Sequence, residues 1–294
     1  MAEINEGRVA VVTGASSGVG KAAAKALAAQ GWHVIAQGRD LERTAAAEAD
    51  IRAVAAPGAE VDMIRGDLSL LGDTARMAKE ICGLTDRVDA LLNNAGGVRG
   101  ELVITPEGNE ATFAGNHLGH FLLTSRLLHL LQAAAATSEP GTARVLSVTS
   151  DGHEGCPGLD WHDLQQTRDW RSGKSYCLAK LCNILFTREL AKRLATDGIV
   201  ANAMHPGVVT SNFVSHAEPR MRNYIETLES FPPEVGADTL VWLATAPETG
   251  TLTGGYFYRR QALSPSAAAL DDNAAARLWE ESEALVSRAG YAHG

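Results

Sequence analysis

Short apolar runs alternate with longer stretches of helical periodicity along most of this chain. The runs lie at 8–13, 33–36, 61–64, 88–92, 145–148 and 199–204. Helix-forming segments separate them, such as LERTAAAEADIRAVAA from residue 41 and SYCLAKLCNILFTRELAKRL from residue 175. Strands buried on both faces read as continuous apolar runs, and intervening helices connect parallel neighbours. The pattern therefore predicts an α/β fold in one domain, 1–294, with a doubly wound parallel sheet and helices on both faces.

Two segments, 151–174 and 206–235, depart most from regular patterns, and each follows a predicted strand. Ligands of open parallel sheets bind beyond the carboxyl ends of the strands, so we expect these two loops to build a substrate pocket. Aromatic side chains in the loops are candidates to line it, although packing beneath a loop is an equally good interpretation. These aromatic residues are Trp161, Trp170, Phe213, Tyr224 and Phe231.

Composition and charge narrow the possible functions of the chain. Hydrophobic residues make up 45% of the 294 residues and charged residues 21%, a balance typical of a globular protein with a sizeable core. The net charge of −9 argues against a broad surface for nucleic acid or anionic membranes. The sequence has no leader pattern and no apolar run of about 18 residues, so we expect a cytoplasmic protein with no membrane anchor.

Neither the cysteines nor the histidines predict a metal centre. The cysteines at 82, 156, 177 and 182 lack CxxC spacing, so we expect reduced thiols that are structural or incidental. His117 and His120 have no acidic partners at ligand spacing, and we expect both to be structural.

A glycine-rich segment, TGASSGVG at 13–20, joins the first apolar run to a helical stretch. Gly14 permits a tight turn, Gly18 lets the backbone approach a pyrophosphate, and Gly20 allows close packing of the helix. The amino terminus of that helix attracts an anion. A plain strand-to-helix turn is the alternative interpretation. The predicted cofactor contacts of this loop are Gly14, Ser16, Ser17, Gly18, Val19 and Gly20.

Tyr176 and Lys180 form a candidate catalytic pair. They lie in a segment of helical periodicity at a spacing that puts both side chains on one face of a helix. A nearby cation favours the phenolate form of tyrosine and lowers its pKa, which would let Tyr176 act as general acid or general base. Taken alone, such a pair is more often an ordinary feature of a helix surface.

Two further polar residues are candidates for the same chemistry. Ser150 ends the run RVLSVTS, where its hydroxyl would lie at the tip of a strand and stabilise developing oxyanion charge. Strand alternation favours Ser150 over Ser147 and Thr149, and it makes Ser147 a core or sheet residue. Asn116 falls in an apolar helical stretch, where a short amide side chain is unfavourable unless it joins a local hydrogen-bond network.

Four motifs occur in an order and spacing that resembles the short-chain dehydrogenase/reductase family: TGxxxGxG at 13–20, NNAG at 93–96, Ser150, and YxxxK at 176–180. Three further stretches are similar to the branch of the retinol dehydrogenases, WW-domain oxidoreductases and protochlorophyllide reductases: NHLGHFLLT at 116–124, GGYFYRR at 254–260, and the stretch 263–286. The match covers nearly the whole chain. Ala179 departs from it, because this branch typically has serine before the lysine.

The resemblance implies a Rossmann-type fold and an oxidoreductase that transfers hydride between a nicotinamide and a carbonyl or secondary alcohol, as a ketone or aldehyde reductase. The implied catalytic residues are Asn116, Ser150, Tyr176 and Lys180, with Asn116 holding a water near the lysine and with Tyr176 and Lys180 also contacting the cofactor. The other implied cofactor contacts are Asp67, Leu68, Asn94, Ala95, Gly96, Pro206, Gly207, Val209 and Ser211. Relatives often pair through helices that begin here near Glu110 and Ser175, which leaves formation of a homo-oligomer open.

Arg39 indicates which nicotinamide cofactor the chain uses. NAD-selective relatives place an acidic residue after the second strand, whereas this sequence has Gly38 and Arg39 there. An arginine offers a planar cation to a 2′-phosphate, so NADP(H) is predicted. The adjacent Asp40 is a candidate cap for the following helix. Ser17 stands where some NADP(H) relatives have lysine, so we expect a moderate preference.

Two alternatives keep this fold but change the function. An isomerase, dehydratase or cyclase would use the same tyrosine and lysine for acid–base chemistry without net redox change. A dinucleotide-binding protein without catalysis is the other alternative, but we would expect it to have lost part of the catalytic set, which is intact here. In the leading interpretation the partner is a small-molecule carbonyl or alcohol substrate, whose identity the loops do not reveal.

Overall fold

A computed structural model describes residues 7–210 and 218–291 of the chain. Within these ranges one sheet contains β1 (Val9–Val12), β2 (His33–Gly38), β3 (Val61–Arg65), β4 (Ala90–Asn93), β5 (Ala143–Val148), β6 (Ile199–Met204), β7 (Tyr256–Tyr258) and β8 (Gln261–Leu263). Their order across the sheet is β3-β2-β1-β4-β5-β6-β7-β8. All neighbours are parallel except β8, which runs antiparallel to β7. The predicted doubly wound parallel sheet is therefore confirmed.

The α-helices of the described ranges are α1 (Gly18–Ala29), α2 (Leu41–Arg52), α3 (Leu71–Leu84), α4 (Ala111–Phe113), α5 (Gly119–Ala136), α6 (Ser172–Arg193), α7 (Pro219–Glu226), α8 (Pro233–Thr245) and α9 (Asp272–Arg288). A π-helical turn, Ala114–Leu118, joins α4 to α5, and a 3₁₀ turn, Asp151–Gly155, follows β5. No helix of the described residues is both long and apolar enough to cross a membrane.

Strand β1 shows why the chain buries both faces of the sheet. Val9 and Val11 pack into the core layer that α3, α5 and α6 share, whereas Ala10 and Val12 pack into the layer beneath α1 and α8. Successive side chains of a strand point to opposite faces, so an unbroken apolar run is required when helices cover both. The six predicted apolar runs all correspond to strands for this reason.

The pairing of the central strands places their carboxyl ends side by side, where the candidate site lies. Val12 of β1 pairs with Leu92 of β4, and Val148 of β5 pairs with Met204 of β6. The carboxyl ends of these four strands therefore lie along one edge of the sheet. The strand order reverses between β1 and β4, and a crevice forms at such a switch point.

Helix α9 covers part of the surface that α5 and α6 share. The ring of Trp279 lies 5.0 Å from that of Phe121 in α5 and 5.9 Å from that of Phe186 in α6, measured between centroids. Ser282 Oγ lies 2.9 Å from Nε2 of the buried His117. Any pairing of two copies through these helices has to use surface that α9 leaves uncovered, so the homo-oligomer stays a prediction.

Candidate active site

A cavity of about 610 Å³ opens at the carboxyl ends of the central strands. All the predicted site residues that the structure describes line it, with the exception of Gly20. Ser211 lies outside the described residues. The glycine loop, the NNAG segment and the tyrosine–lysine pair are distant in sequence, and the sheet brings them to one cavity.

The glycine loop has a backbone that other residues would not fit. Gly14 has φ +67° and Gly18 has φ +55°, both in the left-handed region. A β-carbon on Gly14 would lie 2.7 Å from the Cα of Ala95. Gly20 does not face the cavity, because a β-carbon there would lie 2.5 Å from the carbonyl oxygen of Gly14, so this glycine permits the close packing of α1. The loop is a cradle of backbone at the amino end of α1, as an anionic phosphate requires.

Thr13 fastens the glycine loop to the NNAG segment. Its Oγ1 accepts hydrogen bonds from the backbone N–H groups of Asn94 and Ala95, each at 2.9 Å. Asn94 Nδ2 donates in return to the carbonyl oxygen of Thr13 at 2.7 Å. These bonds join the ends of β1 and β4, so the two segments that flank the crevice are held together.

Arg39 follows β2 and lines the cavity with two strands, β1 and β4, between it and β5, the strand that leads to Ser150. Its side chain is 42% exposed, and its closest charged partner is Asp67, at 3.4 Å. Asp40 caps α2, where its Oδ1 accepts a hydrogen bond from the N–H of Arg43 at 3.0 Å, and this bond lowers the pKa of Asp40. The carboxylate beside Arg39 is thus engaged by the helix, while the Arg39 guanidinium is accessible from the cavity.

Tyr176 and Lys180 lie one turn apart on α6, as the spacing predicted. The ammonium of Lys180 is 5.6 Å from the centroid of the Tyr176 ring and donates a hydrogen bond to the carbonyl oxygen of Val148 at 3.1 Å. Burial lowers the pKa of Lys180 to about 8. Burial also raises the pKa of Tyr176, and a hydrogen bond with Ser150 acts in the opposite direction. The predicted lowering, which rested on the lysine together with the positive nicotinamide of an oxidised cofactor, is not found in the protein alone, because desolvation of the phenol raises the pKa of Tyr176.

Ser150 begins the 3₁₀ turn after β5. Its Oγ accepts a hydrogen bond from the N–H of Gly152 at 3.0 Å and donates one to Asp151 Oδ1 at 2.9 Å. The two alternative hydroxyls are engaged elsewhere. Ser147 bonds Thr187 in the core at 2.9 Å, and Thr149 donates to the carbonyl oxygen of Lys180 at 2.8 Å. Of the three hydroxyls, only that of Ser150 both lines the cavity and shares a hydrogen bond with Tyr176.

Asn116 lies in the π-helical turn, and its amide is fully used. Its Nδ2 donates to the carbonyl oxygens of Thr112 at 2.8 Å and Gly97 at 2.9 Å, while its Oδ1 accepts from the N–H of Gly97 at 3.2 Å. This is the local network that the sequence required for an amide in an apolar helix. A β-carbon on Gly96 would lie 3.2 Å from Lys180 Nζ and 2.7 Å from Asn116 Oδ1, so both side chains border the same small space.

The aromatic residues of the two loops do not line the cavity where the structure describes them. Trp170 donates to Glu110 at 3.3 Å, Arg277 lies over Trp161 at 4.3 Å, and Arg259 lies over Phe231 at 5.1 Å. Phe213 and the side chain of Tyr224 lie outside the described residues. Packing beneath the loops is the correct interpretation for the three described rings, because each turns towards a partner in the protein.

Other residues line the cavity without having been predicted. They are Val98, Arg99, Thr112, Asp151, Glu154, Cys177, Ile225 and Leu228 among others. Asp151 and Cys177 directly follow predicted site residues, so adjacency could have found them. Glu154, Ile225 and Leu228 lie in the two loops that were predicted to build the pocket, whereas Val98, Arg99 and Thr112 carry no motif.

A separate group of potential metal ligands lies at the amino ends of β2 and β3. His33, Glu60 and Asp62 have ligand atoms within 4.8 Å of one another, and His33 Nε2 lies 2.7 Å from Asp62 Oδ2. An imidazole–carboxylate pair at the surface accounts for this geometry. The absence of a metal centre remains a prediction.

Comparison with known proteins gives the family. The sequence profile of the short chain dehydrogenase family matches residues 8–159. Retinol dehydrogenase 13 of Homo sapiens is 36% identical over 288 residues, covering 95% of this chain and 85% of that protein. An uncharacterised protein from Mycobacterium paratuberculosis superposes with a TM-score of 0.74 at 31% identity, covering 96% of this chain and 94% of that one. The Pseudomonas aeruginosa RhlG/NADP active-site complex does so with a TM-score of 0.69 at 25% identity, covering 90% and 97%.

The profile match contains the glycine loop, the NNAG segment and Ser150, and the match to retinol dehydrogenase 13 covers 95% of the chain. The chain therefore belongs to the short-chain dehydrogenase/reductase family, in the branch of the retinol dehydrogenases, and is an oxidoreductase with a nicotinamide dinucleotide cofactor.

Proposed function

We propose that this oxidoreductase uses NADP(H) to reduce a ketone or aldehyde. The observation that carries the proposal is the cavity that Asn116, Ser150, Tyr176 and Lys180 line together with Arg39, which follows β2 and is separated from the end of β5 by β1 and β4. An acid group and a dinucleotide cradle within one cavity are what hydride transfer coupled to proton transfer requires.

The chain's own residues fit a dinucleotide. The left-handed Gly14 and Gly18 bring bare backbone to the amino end of α1, where a pyrophosphate is stabilised by unpaired N–H groups. The N-cap residue Ser17 makes no side-chain capping bond, so its own side chain does not satisfy the first amides of the helix. When bound, the nicotinamide donates hydride to the substrate carbon or accepts it in the reverse direction.

Tyr176 delivers the proton in this proposal. Its raised pKa keeps the phenol protonated at neutral pH, which is the form that a general acid needs when a carbonyl is reduced. Ser150, which shares a hydrogen bond with Tyr176, orients the substrate oxygen and stabilises its developing charge. Lys180 stays largely protonated below its pKa of about 8, and its cation supports the phenolate left behind. Asn116 holds a water that returns a proton towards Lys180.

Arg39 supports NADP(H) over NAD(H). Its guanidinium lines the cavity and has only a long contact with Asp67, so it is available to a 2′-phosphate. Asp40 lines the same cavity, and its Oδ1 is engaged as the cap of α2. Arg43 also lines the cavity and adds positive charge.

The substrate side of the cavity supports a small carbonyl compound. We propose that the loops 151–174 and 206–235 of one domain enclose it, since Asp151, Gly152, Ile225 and Leu228 line the cavity from these segments. Apolar walls bounded by a few polar groups suit a compound with one carbonyl and a hydrocarbon body.

A panel of ketones and aldehydes, assayed at the absorbance band of the reduced nicotinamide, tests the proposal. We expect substrate-dependent oxidation of NADPH, with higher kcat/KM for NADPH than for NADH. Product formation without loss of NADPH would favour an isomerase, dehydratase or cyclase instead. Equal or better kcat/KM with NADH would overturn the cofactor preference.

A further inference from the structure

His120 is a buried histidine of α5 that lies just outside the candidate site. It is 2% exposed, and it does not line the cavity. Both of its ring nitrogens have partners. Nδ1 lies 3.0 Å from the main-chain carbonyl oxygen of Asn116, and Nε2 lies 2.9 Å from Thr13 Oγ1. The ring therefore spans from the catalytic asparagine to the loop that flanks the cofactor cradle.

The partners of His120 decide its tautomer. A carbonyl oxygen only accepts, so Nδ1 must carry the proton that faces Asn116. Burial lowers the pKa of His120 to about 4, although its bond with the Asn116 backbone acts in the opposite direction, and the charge of Lys180 lowers it further. The ring is therefore neutral near pH 7, and a neutral imidazole with a proton on Nδ1 has an acceptor at Nε2.

Thr13 continues the chain of hydrogen bonds. Its Oγ1 already accepts from the N–H groups of Asn94 and Ala95, which occupy both lone pairs of the hydroxyl. Its own proton has two acceptors within reach, Nε2 of His120 at 2.9 Å and the carbonyl oxygen of Leu92 at 3.2 Å, and we assign it to the closer Nε2. All donors consequently point one way, from the NNAG backbone through Thr13 and His120 to the carbonyl of Asn116.

The hydrogen bond from His120 to the carbonyl oxygen of Asn116 is made within an irregular stretch of helix. In the π-helical turn Ala114–Leu118 the N–H of Gly119 bonds the carbonyl oxygen of Ala114, one residue further back than in an α-helix. Single π-helical turns inside α-helices occur frequently at functional sites. The ring of His120 supplies a side-chain donor to the Asn116 carbonyl at this point.

We propose that His120 is a positioning residue, which orients the Asn116 carbonyl and couples it mechanically to the NNAG segment that flanks the cofactor. The inference rests on the proposed function, because it assigns to His120 a part in holding the proton path between Asn116 and Lys180. His120 itself touches neither cofactor nor substrate.

Two substitutions of His120 each keep one of the two hydrogen bonds that its ring makes. The amide nitrogen of His120→Asn occupies the position of Nδ1 and keeps a donor for the Asn116 carbonyl. The longer His120→Gln reaches the position of Nε2 and keeps a partner for Thr13. The neighbouring His117, which is equally buried but bonds Ser282 away from the cavity, is the matched control through His117→Asn and His117→Gln.

We expect single-turnover hydride transfer from NADPH to be about tenfold to a hundredfold slower in His120→Gln than in His120→Asn, because a misplaced carbonyl displaces the water path. The Kd for NADPH should stay within about threefold in both, since neither variant changes the cavity wall. The two His117 variants should differ in thermal stability but not in the hydride-transfer rate. A purely structural His120 would instead give two variants with equal rates, and that result would overturn the inference.

The wild-type protein offers an independent check. Nitrogen-15 spectra of protein labelled at histidine distinguish the two neutral tautomers, and we expect the proton of His120 on Nδ1. A proton on Nε2 would reverse the donor direction and overturn the inference even if the variants fold poorly. Tyr176→Phe is assayed in parallel: retained turnover in that variant overturns the proposed function, whereas its loss combined with equal His120 variants overturns only the role of His120.

Discussion

The hydroxyl of Ser150 donates a hydrogen bond to the carboxylate of Asp151 at 2.9 Å, at the edge of the cavity that holds Tyr176. Burial is the main cause that raises the pKa of Tyr176, and the charge of Asp151 raises it further, because a second negative charge disfavours the phenolate. Asp151 therefore influences both the direction of the Ser150 proton and the ionisation of the tyrosine.

Asp151→Asn keeps an acceptor for Ser150 but removes the charge, so the pKa of Tyr176 should fall. Alcohol oxidation needs the phenolate, so the increase of its kcat/KM with pH should move to lower pH by about half a unit. The shift is modest because the carboxylate of Asp151 is exposed to solvent. The measurement is the pH profile of oxidation. Glu154→Gln removes another carboxylate from the cavity wall and should shift the profile less. An unchanged or upward-shifted profile for Asp151→Asn would contradict the assignment.

Arg39→Ala tests the cofactor preference. Loss of a charge-assisted hydrogen bond, worth about 1.5–3 kcal/mol, should raise the KM for NADPH by roughly tenfold to a hundredfold and leave that for NADH nearly unchanged. Steady-state kinetics with both cofactors gives the answer. Arg52→Ala removes an arginine of α2 that pairs with Glu48 away from the cavity and serves as the control. Equal losses with NADPH and NADH would count against a 2′-phosphate site.

Gly14→Ala tests the cradle. Both the φ of +67° and the approach to the Cα of Ala95 oppose a β-carbon, so we expect a loss of about 2–3 kcal/mol in unfolding free energy and loss of NADPH binding. Gly58→Ala places the same side chain at φ +87° with open space around it, and should lower stability by about 1 kcal/mol. Denaturant unfolding and NADPH titration of the two variants separate steric conflict from backbone strain. Full NADPH affinity in Gly14→Ala would show that this turn is not part of the cradle.

Trp279→Ala tests the packing of α9 against α5 and α6. The ring contacts Phe121 and Phe186, and Arg193 lies over it at 4.3 Å. Because Trp279 is only partly buried, we expect a loss of about 2–3 kcal/mol in the free energy of unfolding, below the range for fully buried tryptophans. Chemical denaturation measures it, with the exposed Glu280→Ala of the same helix as control. A loss below about 0.5 kcal/mol would show that α9 packs weakly.

The strands were predictable where burial on both faces imposes an apolar run, as in β1 and β5. Strands β7 and β8 were not predicted, because three residues are too few for a periodic signal and β8 is exposed. The packing of α9 against α5 was likewise not predictable from the sequence. It depends on which face of each amphipathic helix meets the other, and periodicity alone does not choose the partner.

The candidate site also has features that the sequence predicted and features that it did not. Tyr176 and Lys180 share a helix face, so local spacing predicted their proximity. Thr13 and His120 are 107 positions apart, and only the sheet brings their side chains within hydrogen-bond distance. The described loop aromatics were assigned equally to the cavity and to packing, since composition does not fix the direction in which a ring turns. The pKa of Tyr176 was expected to fall beside the lysine and an oxidised nicotinamide, but in the protein alone burial raises it, and burial is a property of the folded site.

Replacement of Tyr176 by phenylalanine tests the central claim most directly. The variant loses only the hydroxyl, and single-turnover reduction of a carbonyl substrate by NADPH should slow by about 10²–10⁴-fold, while the Kd for NADPH stays within about threefold. Tyr256→Phe removes the hydroxyl of another buried tyrosine, one that does not line the cavity, and should leave the rate close to that of the wild type. An unchanged rate of hydride transfer in Tyr176→Phe would contradict the account.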